Sequence, residues 1–324
     1  NDVCWQKNYT WNIFFSTGSA ASVKGLMILG AIVGFILAII TTFWDWRSHA
    51  NHMGERFLVG YPRDGRWHRP DFDIVGAYVD QRDGDDDLSV HRAEEFDFTV
   101  YPTIAEALRL GGDQLAVDAV LLIAEHGDYP SNDKGQKLYP RFEFFSQIVD
   151  VFRASGRSIP VFNDKHLSYS FAKAQQMVDT AHDLGFPLMS GSSLPVTFRM
   201  PPIELDGHVD EALMIGVGGS DAMDYHALEA MQSMVERRQG GETGVRAVQL
   251  VEGEEVWRAG QDGRWSRRLL EGALARSDSR SGIALTDGRP QDLAHSDELE
   301  ELVENPAAYF IDYNDGFRAT LLML

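Results

Sequence analysis

Between residues 35 and 192 the apolar positions fall into short unbroken runs, separated by segments in which they recur every three or four residues. FILAIITTF (35–43), FDIVGAYVD ending on Asp80, FTVYP, VDAVLLIA, IPVFN and PLMSGSS read as strands. The continuous Ile, Val and Leu content of the central runs is that of parallel strands covered on both faces. SHANHMGERFLVGY, a short stretch around 90–95, TIAEALRLG, RFEFFSQIVDVFRASG and residues 169–184 have helical spacing. Ser48 and Thr103 stand as N-caps, and Glu106 three residues after Thr103 completes a capping box. YPRDGRWHRPD, punctuated by Pro and Asp-Gly, reads as a loop. Strand and helix thus alternate about six times, which predicts an α/β, Rossmann-like doubly wound parallel sheet over 35–192.

The pattern changes after SSLPVTFRMPP. EALMIGVGG reads as a strand and the segment from DAMDYHALE as a long helix ended by Gly240-Gly241. GVRAVQLVEGEEVWRAG reads as two strands around a glycine turn, WSRRLLEGALARS as a helix, and the last eighteen residues as a hairpin around Asn314-Asp315-Gly316. Few crossovers predict an α+β domain over 193–324 with an open antiparallel sheet. The sequence stops inside an apolar strand at Leu324, which predicts a C-terminally truncated domain. Residues 1–24 have no clear period, and 1–34 form an N-terminal extension with a possible hydrophobic anchor. Gly25–Trp44 is twenty residues without a charge, long enough to cross a bilayer as a helix. The alternation that follows requires a strand at 35–43, so membrane contact is expected only through residues 25–44. A cytoplasmic protein and one anchored by this segment are both compatible with the sequence.

Composition narrows the partners. At 324 residues the chain has room for two ordinary domains, and 44% hydrophobic with 24% charged residues is a globular balance. A net charge of −20 repels phosphate backbones, so no nucleic-acid partner is expected. The lone Cys4 forms neither an internal disulfide nor a cysteine zinc site, which fits a reducing cytoplasm. A small-molecule substrate is the expected partner.

Open α/β sheets bind ligands at the carboxyl ends of their strands, and several polar residues are expected there. Asp80 ends the second long strand. In a dinucleotide fold an acid there accepts from the adenosine ribose hydroxyls and repels a 2′-phosphate, favouring NAD over NADP. The first strand-to-helix turn, TTFWDWRSHANHMG, has no glycine before Gly54, so the G-x-G-x-x-G fingerprint is missing. Trp44 and Trp46 are expected to crowd a pyrophosphate there. Thr41, Thr42 and Ser48, with the helix amides, are the candidate anion ligands instead. His49 and His52, three apart on that helix, could hold a metal with a distant carboxylate or simply form a solvated face. Glu125, His126 and Asp128 follow the fourth strand as candidate cofactor or substrate contacts. Lys165, just past IPVFN, can polarise a substrate hydroxyl; the bland alternatives are a salt bridge to Asp164 or an exposed strand-end charge. In GGSDAMDYHALEAM, His226 is a candidate proton acceptor with Asp224 or Asp221 orienting it, or a capping cluster around a core histidine.

In the order of these motifs the chain resembles the Gfo/Idh/MocA oxidoreductases, such as glucose–fructose oxidoreductase and inositol dehydrogenase. That resemblance implies a Rossmann domain followed by an open-sheet domain, a bound NAD or NADP, and a homo-oligomer. The family's E-K-P corresponds to Asp164-Lys165-His166, so Lys165 matches and its neighbours differ. The family's catalytic aspartate and histidine stand four apart. Here His226 matches, but Asp221 and Asp224 lie five and two residues before it. The resemblance implies hydride transfer between nicotinamide and a sugar or cyclic polyol, with Lys165 and His226 catalytic and no metal. Two other readings stay open. One is a metal-dependent hydrolase or lyase, using His49, Glu125, His126, Asp128, His166 and His226 around an ion. The other is a non-catalytic ligand-binding relative.

Overall fold

The computed structural model describes residues 35–82, 87–197, 199, 207–217, 221–274 and 298–324. The N-terminal extension, the acidic turn at 83–86, Gly218 and Gly219, and the side chain of Asp221 lie outside the described residues. The chain divides into two compact units, the second being Ser193–Leu324.

The first unit is built on a six-stranded sheet. Its strands are β1 (Phe35–Thr41), β4 (Phe72–Val79), β5 (Thr99–Tyr101), β6 (Ala119–Ile123), β7 (Val161–Asp164) and β8 (Leu188–Gly191), in the spatial order β5-β4-β1-β6-β7-β8. Every pairing is parallel. Side chains alternate across β1. Ala38 and Ile40 enter one core with α3 (Ile104–Arg109), α4 (Arg141–Ser155) and α5 (Phe171–Asp183). Leu37 and Ile39 enter the other, with α1 (His49–Leu58) and α2 (Ser89–Phe96). Apolar residues without interruption are what a strand covered on both faces requires.

Two local expectations are corrected. YPRDGRWHRPD is a hairpin, with β2 (Tyr61–Arg63) and β3 (Arg66–His68) antiparallel around Asp64 and Gly65, both at positive φ. Asp-Gly was its signal; the flanking strands are too short to show alternation. Trp44 does not crowd the strand-end crevice. It is fully buried, stacks on Phe98 at 5.8 Å and donates from Nε1 to Asn51 Oδ1 at 3.4 Å. A Cβ on Gly54 would come within 3.1 Å of this indole, so the first glycine of the segment makes room for tryptophan rather than for phosphate.

The second unit has a four-stranded sheet in the order β10-β11-β12-β9, from β9 (Glu211–Gly216), β10 (Val245–Glu252), β11 (Ala307–Tyr313) and β12 (Arg318–Met323). β10, β11 and β12 are antiparallel, while β9 joins β12 in parallel, so the sheet is mixed. Helix α6 (Asp221–Val235) packs Ala227, Met231 and Val235 with Ile311, Ala319 and Leu321. The expected second strand of GVRAVQLVEGEEVWRAG is instead α7 (Glu254–Gln261). Gly253 at φ +61 breaks the strand. Glu254 and Glu255 then suit a helix N-terminus, and Val256, Trp257 and Gly260 face inward at helical spacing. α8 (Arg267–Leu274) and α9 (Glu298–Leu302) complete the described elements. No helix among the described residues is long and apolar enough to cross a membrane, and residues 35–44 of the uncharged segment are β1 and the turn after it.

Because Trp44 anchors the β1–α1 turn in a closed core, Trp44→Ala is expected to cost about 3–5 kcal/mol. Urea unfolding monitored by far-UV circular dichroism checks this; a loss below about 1 kcal/mol would contradict the packing described.

Candidate active site

β1 and β6 are neighbours, but their following helices cover opposite faces of the sheet: α1 packs on one side and α4 on the other. A crevice opens at the carboxyl ends of two strands whose connections diverge in this way. Four segments converge there, the start of α4 with Arg141 among them. The other three are the start of α1, the loop after β6 and the end of β7.

Glu125 sits at the centre. Its Oε1 lies 3.3 Å from His126 Nε2, 3.6 Å from Lys165 Nζ and 3.9 Å from His49 Nε2. Its Oε2 lies 3.7 Å from Arg141 Nη2. The main chain beneath it is held by Thr42, whose hydroxyl donates to Glu125 O at 2.6 Å. His49 is fixed from its other nitrogen, with Nδ1 2.8 Å from Asp164 Oδ2. Arg141 Nη1 is 3.3 Å from His166 Nε2. Lys165 is ion-paired with Glu125, and the neighbouring Asp164 carboxylate holds His49. The two adjacent side chains reach different partners.

The backbone is forced to make this arrangement. Lys165 has φ 66° and His126 φ 66°, a left-handed conformation that costs a non-glycine residue roughly 1–2 kcal/mol. Reciprocal hydrogen bonds hold Lys165 there, from Lys165 N to Gly191 O at 3.1 Å and from Gly191 N to Lys165 O at 2.9 Å. Asn163 Nδ2 donates to the carbonyls of Asp164 and His166, closing the turn from the side. The loop carrying His126 is tied to the end of β4 by the Gln81 amide, which donates to Asp128 O at 3.1 Å and accepts from Asp128 N at 2.7 Å.

Charge in this cluster is balanced locally. Burial pushes the Glu125 carboxyl up. The His126 hydrogen bond and the charges of Lys165, His49 and His126 outweigh that and hold it down at about 2. Asp164 raises the pKa of His49 through their hydrogen bond, against the opposing effect of burial. Among the described residues His49, Glu125 and His126 bring their ligand atoms within 4.8 Å of one another. His52 is exposed and is not among these three, so the His49–His52 pair reads as the solvated alternative.

The other candidates divide. Thr41 and Thr42 are buried, and their hydroxyls donate to Ile123 O and Glu125 O, so both tie β1 to the end of β6. Ser48 caps α1 by accepting from Asn51 N and donates to Asp45 O. Asp80 is exposed and accepts at both oxygens, from Tyr78 and Tyr129 hydroxyls at 2.6 Å each. Burial and Asp80 push both phenols up. In the second unit, His226 Nδ1 is 2.8 Å from Glu229 Oε2, while Asp224 accepts from the Tyr309 hydroxyl at 2.6 Å. Glu229 is thus a carboxylate bonded to His226, Asp224 holds the Tyr309 hydroxyl, and Asp221's side chain lies outside the described residues. Glu229 was readable as a carboxylate one helical turn after the histidine. Arg141 was readable too, as a cation on the apolar face and in the first turn of α4, where the helix dipole disfavours it.

No protein-family profile and no curated protein matches the chain. Similar folds occur in myo-inositol dehydrogenase from Lactobacillus casei in complex with NAD(H) and myo-inositol, at TM-score 0.46 and 12% identity over 89% of this chain and 67% of that one. An NAD-binding protein from Listeria innocua gives 0.42 and 12% over 90% and 66%. GenD2 from gentamicin A biosynthesis, in complex with NAD, gives 0.44 and 16% over 89% and 65%. The chain spans about two thirds of the length of these structures. At such identities the likeness is one of fold.

Glu125→Gln leaves the buried Lys165 and Arg141 without their shared carboxylate, and is expected to cost about 3–5 kcal/mol at neutral pH. The Glu125 carboxyl is held below its ordinary 4.5, so its stabilising effect is complete above pH 4.5 and is lost as pH falls through about 2. The gap between parent and variant in chelator-treated buffer should therefore narrow over that window. Denaturant melts at several pH values read it, and a constant gap would refute the assignment.

Proposed function

We propose that the chain is an NAD(P)-dependent oxidoreductase, a divergent relative of the Gfo/Idh/MocA enzymes, acting on a hydroxyl-bearing carbon of a sugar or cyclic polyol. The observation that carries this reading is Lys165: an ammonium at the switch point of a doubly wound sheet, held beside Glu125 by a strained backbone.

The strand-end residues fit a dinucleotide at its ribose and at the start of α1. Asp80 stands where the adenosine ribose is bound in such folds. Each of its oxygens, already accepting from a tyrosine, has a further lone pair for a ribose hydroxyl. The α1 N-terminus opens at the switch point and favours an anion. The turn before it contributes less than a glycine loop would. The Thr41 and Thr42 hydroxyls are committed to carbonyls, and the Asp45 carboxylate already accepts from Arg47 N. Pyrophosphate binding would then rest on backbone amides, with weaker affinity. When bound, nicotinamide supplies the hydride acceptor.

The chain's own part is orientation and charge. Lys165 donates to the substrate oxygen and polarises the carbinol, and Glu125 and Gly191 fix its direction. Arg141 and His166 add donors on the same edge. His226, backed by Glu229, is the proposed proton acceptor, in the arrangement by which a carboxylate orients a histidine. Asp80 repels a 2′-phosphate and so favours NAD.

Titration of the protein with NAD and NADP, read by nucleotide fluorescence, tests this directly. NAD is expected to bind more tightly than NADP, and Asp80→Ala to remove that preference. Lys165→Ala is expected to keep NAD binding and lower kcat about 10²–10⁴-fold. Binding of neither nucleotide would overturn the reading.

A further inference from the structure

We propose that His49 Nε2, His126 Nε2 and Glu125 Oε1 form a binding site for a divalent transition-metal ion, at the switch point between β1 and β6. The inference does not depend on the dinucleotide reading. It rests on the ligand set and its geometry.

An ion with bonds of about 2.1 Å to nitrogen and oxygen separates its ligand atoms by roughly 3–3.5 Å. His126 Nε2 and Glu125 Oε1 already stand 3.3 Å apart, and His49 Nε2 is 3.9 Å from the same oxygen. The two imidazoles are inclined at 62° with centroids 6.1 Å apart, and the three ligand atoms lie within 4.8 Å of one another.

The surroundings are those of a metal site. A ligating histidine is normally oriented by a carboxylate on its other nitrogen. Asp164 does this for His49, at 2.8 Å from Nδ1, and so fixes which nitrogen faces Glu125. Arg141 holds the second oxygen of Glu125 at 3.7 Å, leaving Oε1 turned toward the imidazoles. His126 has φ 66°, a left-handed conformation that histidine adopts more readily than most side chains do. Glycine does follow at the next position, Gly127, also at positive φ.

Two nitrogens and one carboxylate suit zinc, manganese, iron(II) or cobalt, and three protein ligands leave positions open for an oxygen of water or substrate. Lys165 works against the ion. Its ammonium lies 3.6 Å from the ligand oxygen and repels a second cation. The balance of Glu125 and Asp164 against Lys165, Arg141 and the ion therefore favours an anionic or ionisable oxygen as the remaining ligand.

The test uses tag-free, chelator-treated full chain titrated with Zn²⁺ by calorimetry and with Co²⁺ by visible absorption. One ion per chain is expected, with the absorption of nitrogen-ligated cobalt. His49→Ala and His126→Ala should each weaken binding at least tenfold, and Asp164→Asn about tenfold. Lys165→Met should tighten it several-fold by removing the repulsion. No binding by the parent, or binding indifferent to the histidine variants, would overturn the site. An unchanged affinity in Lys165→Met would overturn its placement on Glu125 Oε1. None of these readouts requires a nucleotide, so failure here and failure of the oxidoreductase reading are told apart.

Discussion

The strand-end cluster depends on one buried carboxylate. Glu125 is largely shielded from water, which alone would drive it toward the neutral acid, yet His126, Lys165 and His49 beside Oε1 keep it ionised, while Arg141 addresses Oε2. Each partner comes from a different part of the chain: α1, the loop after β6, the start of α4 and the end of β7. The sheet order makes the meeting possible, because β1 lies beside β6 while their connections leave toward opposite faces. A low-dielectric setting makes each contact stronger and each missing partner more costly, so the groups hold one another in place.

Much of this architecture was legible. Continuous apolar runs gave the parallel strands, and Ser48 and Thr103 marked helix starts that their side chains do cap. Lys165 was placed past a strand end by nothing more than the apolar run before it. What stayed hidden depended on side-chain direction. Asp164 and Lys165 are adjacent, but the left-handed turn at Lys165 sends them to different partners, and no spacing rule reports a positive φ on lysine. Trp44 read as an obstacle because its residue type was visible and its burial was not. α7 was mistaken for a strand because VWRAG is too short to display its helical period, although Glu254-Glu255 after a glycine was a usable signal. Around His226 the aspartates are nearer in sequence, whereas the helix brings Glu229 alongside.

The two readings of the crevice place different demands on the same atoms. A hydroxyl-polarising lysine needs its ammonium near the reacting oxygen, and a metal at Glu125 Oε1 would offer a second, stronger polarising charge there. The two can serve one substrate only if its oxygen carries negative charge in the reacting state, which offsets both cations. A crevice with two carboxylates, a lysine, an arginine and three histidines is therefore suited to stabilising developing negative charge on oxygen, whichever acceptor takes the electrons.

The missing glycine loop follows from the same logic. In a dinucleotide fold the turn after β1 gives up side chains so that phosphate can approach the backbone. Here that turn supports protein instead. The Thr41 hydroxyl donates to Ile123 O, the Thr42 hydroxyl donates to Glu125 O, and Trp44 fills the core beneath α1. Residues in the position of a phosphate cradle thus fix the backbone of Glu125 and the helix that carries His49. Glycine substitutions at Thr41 or Thr42 would restore space for phosphate only by loosening the carboxylate that organises Lys165, so the absent fingerprint and the strand-end cluster are two consequences of one packing choice.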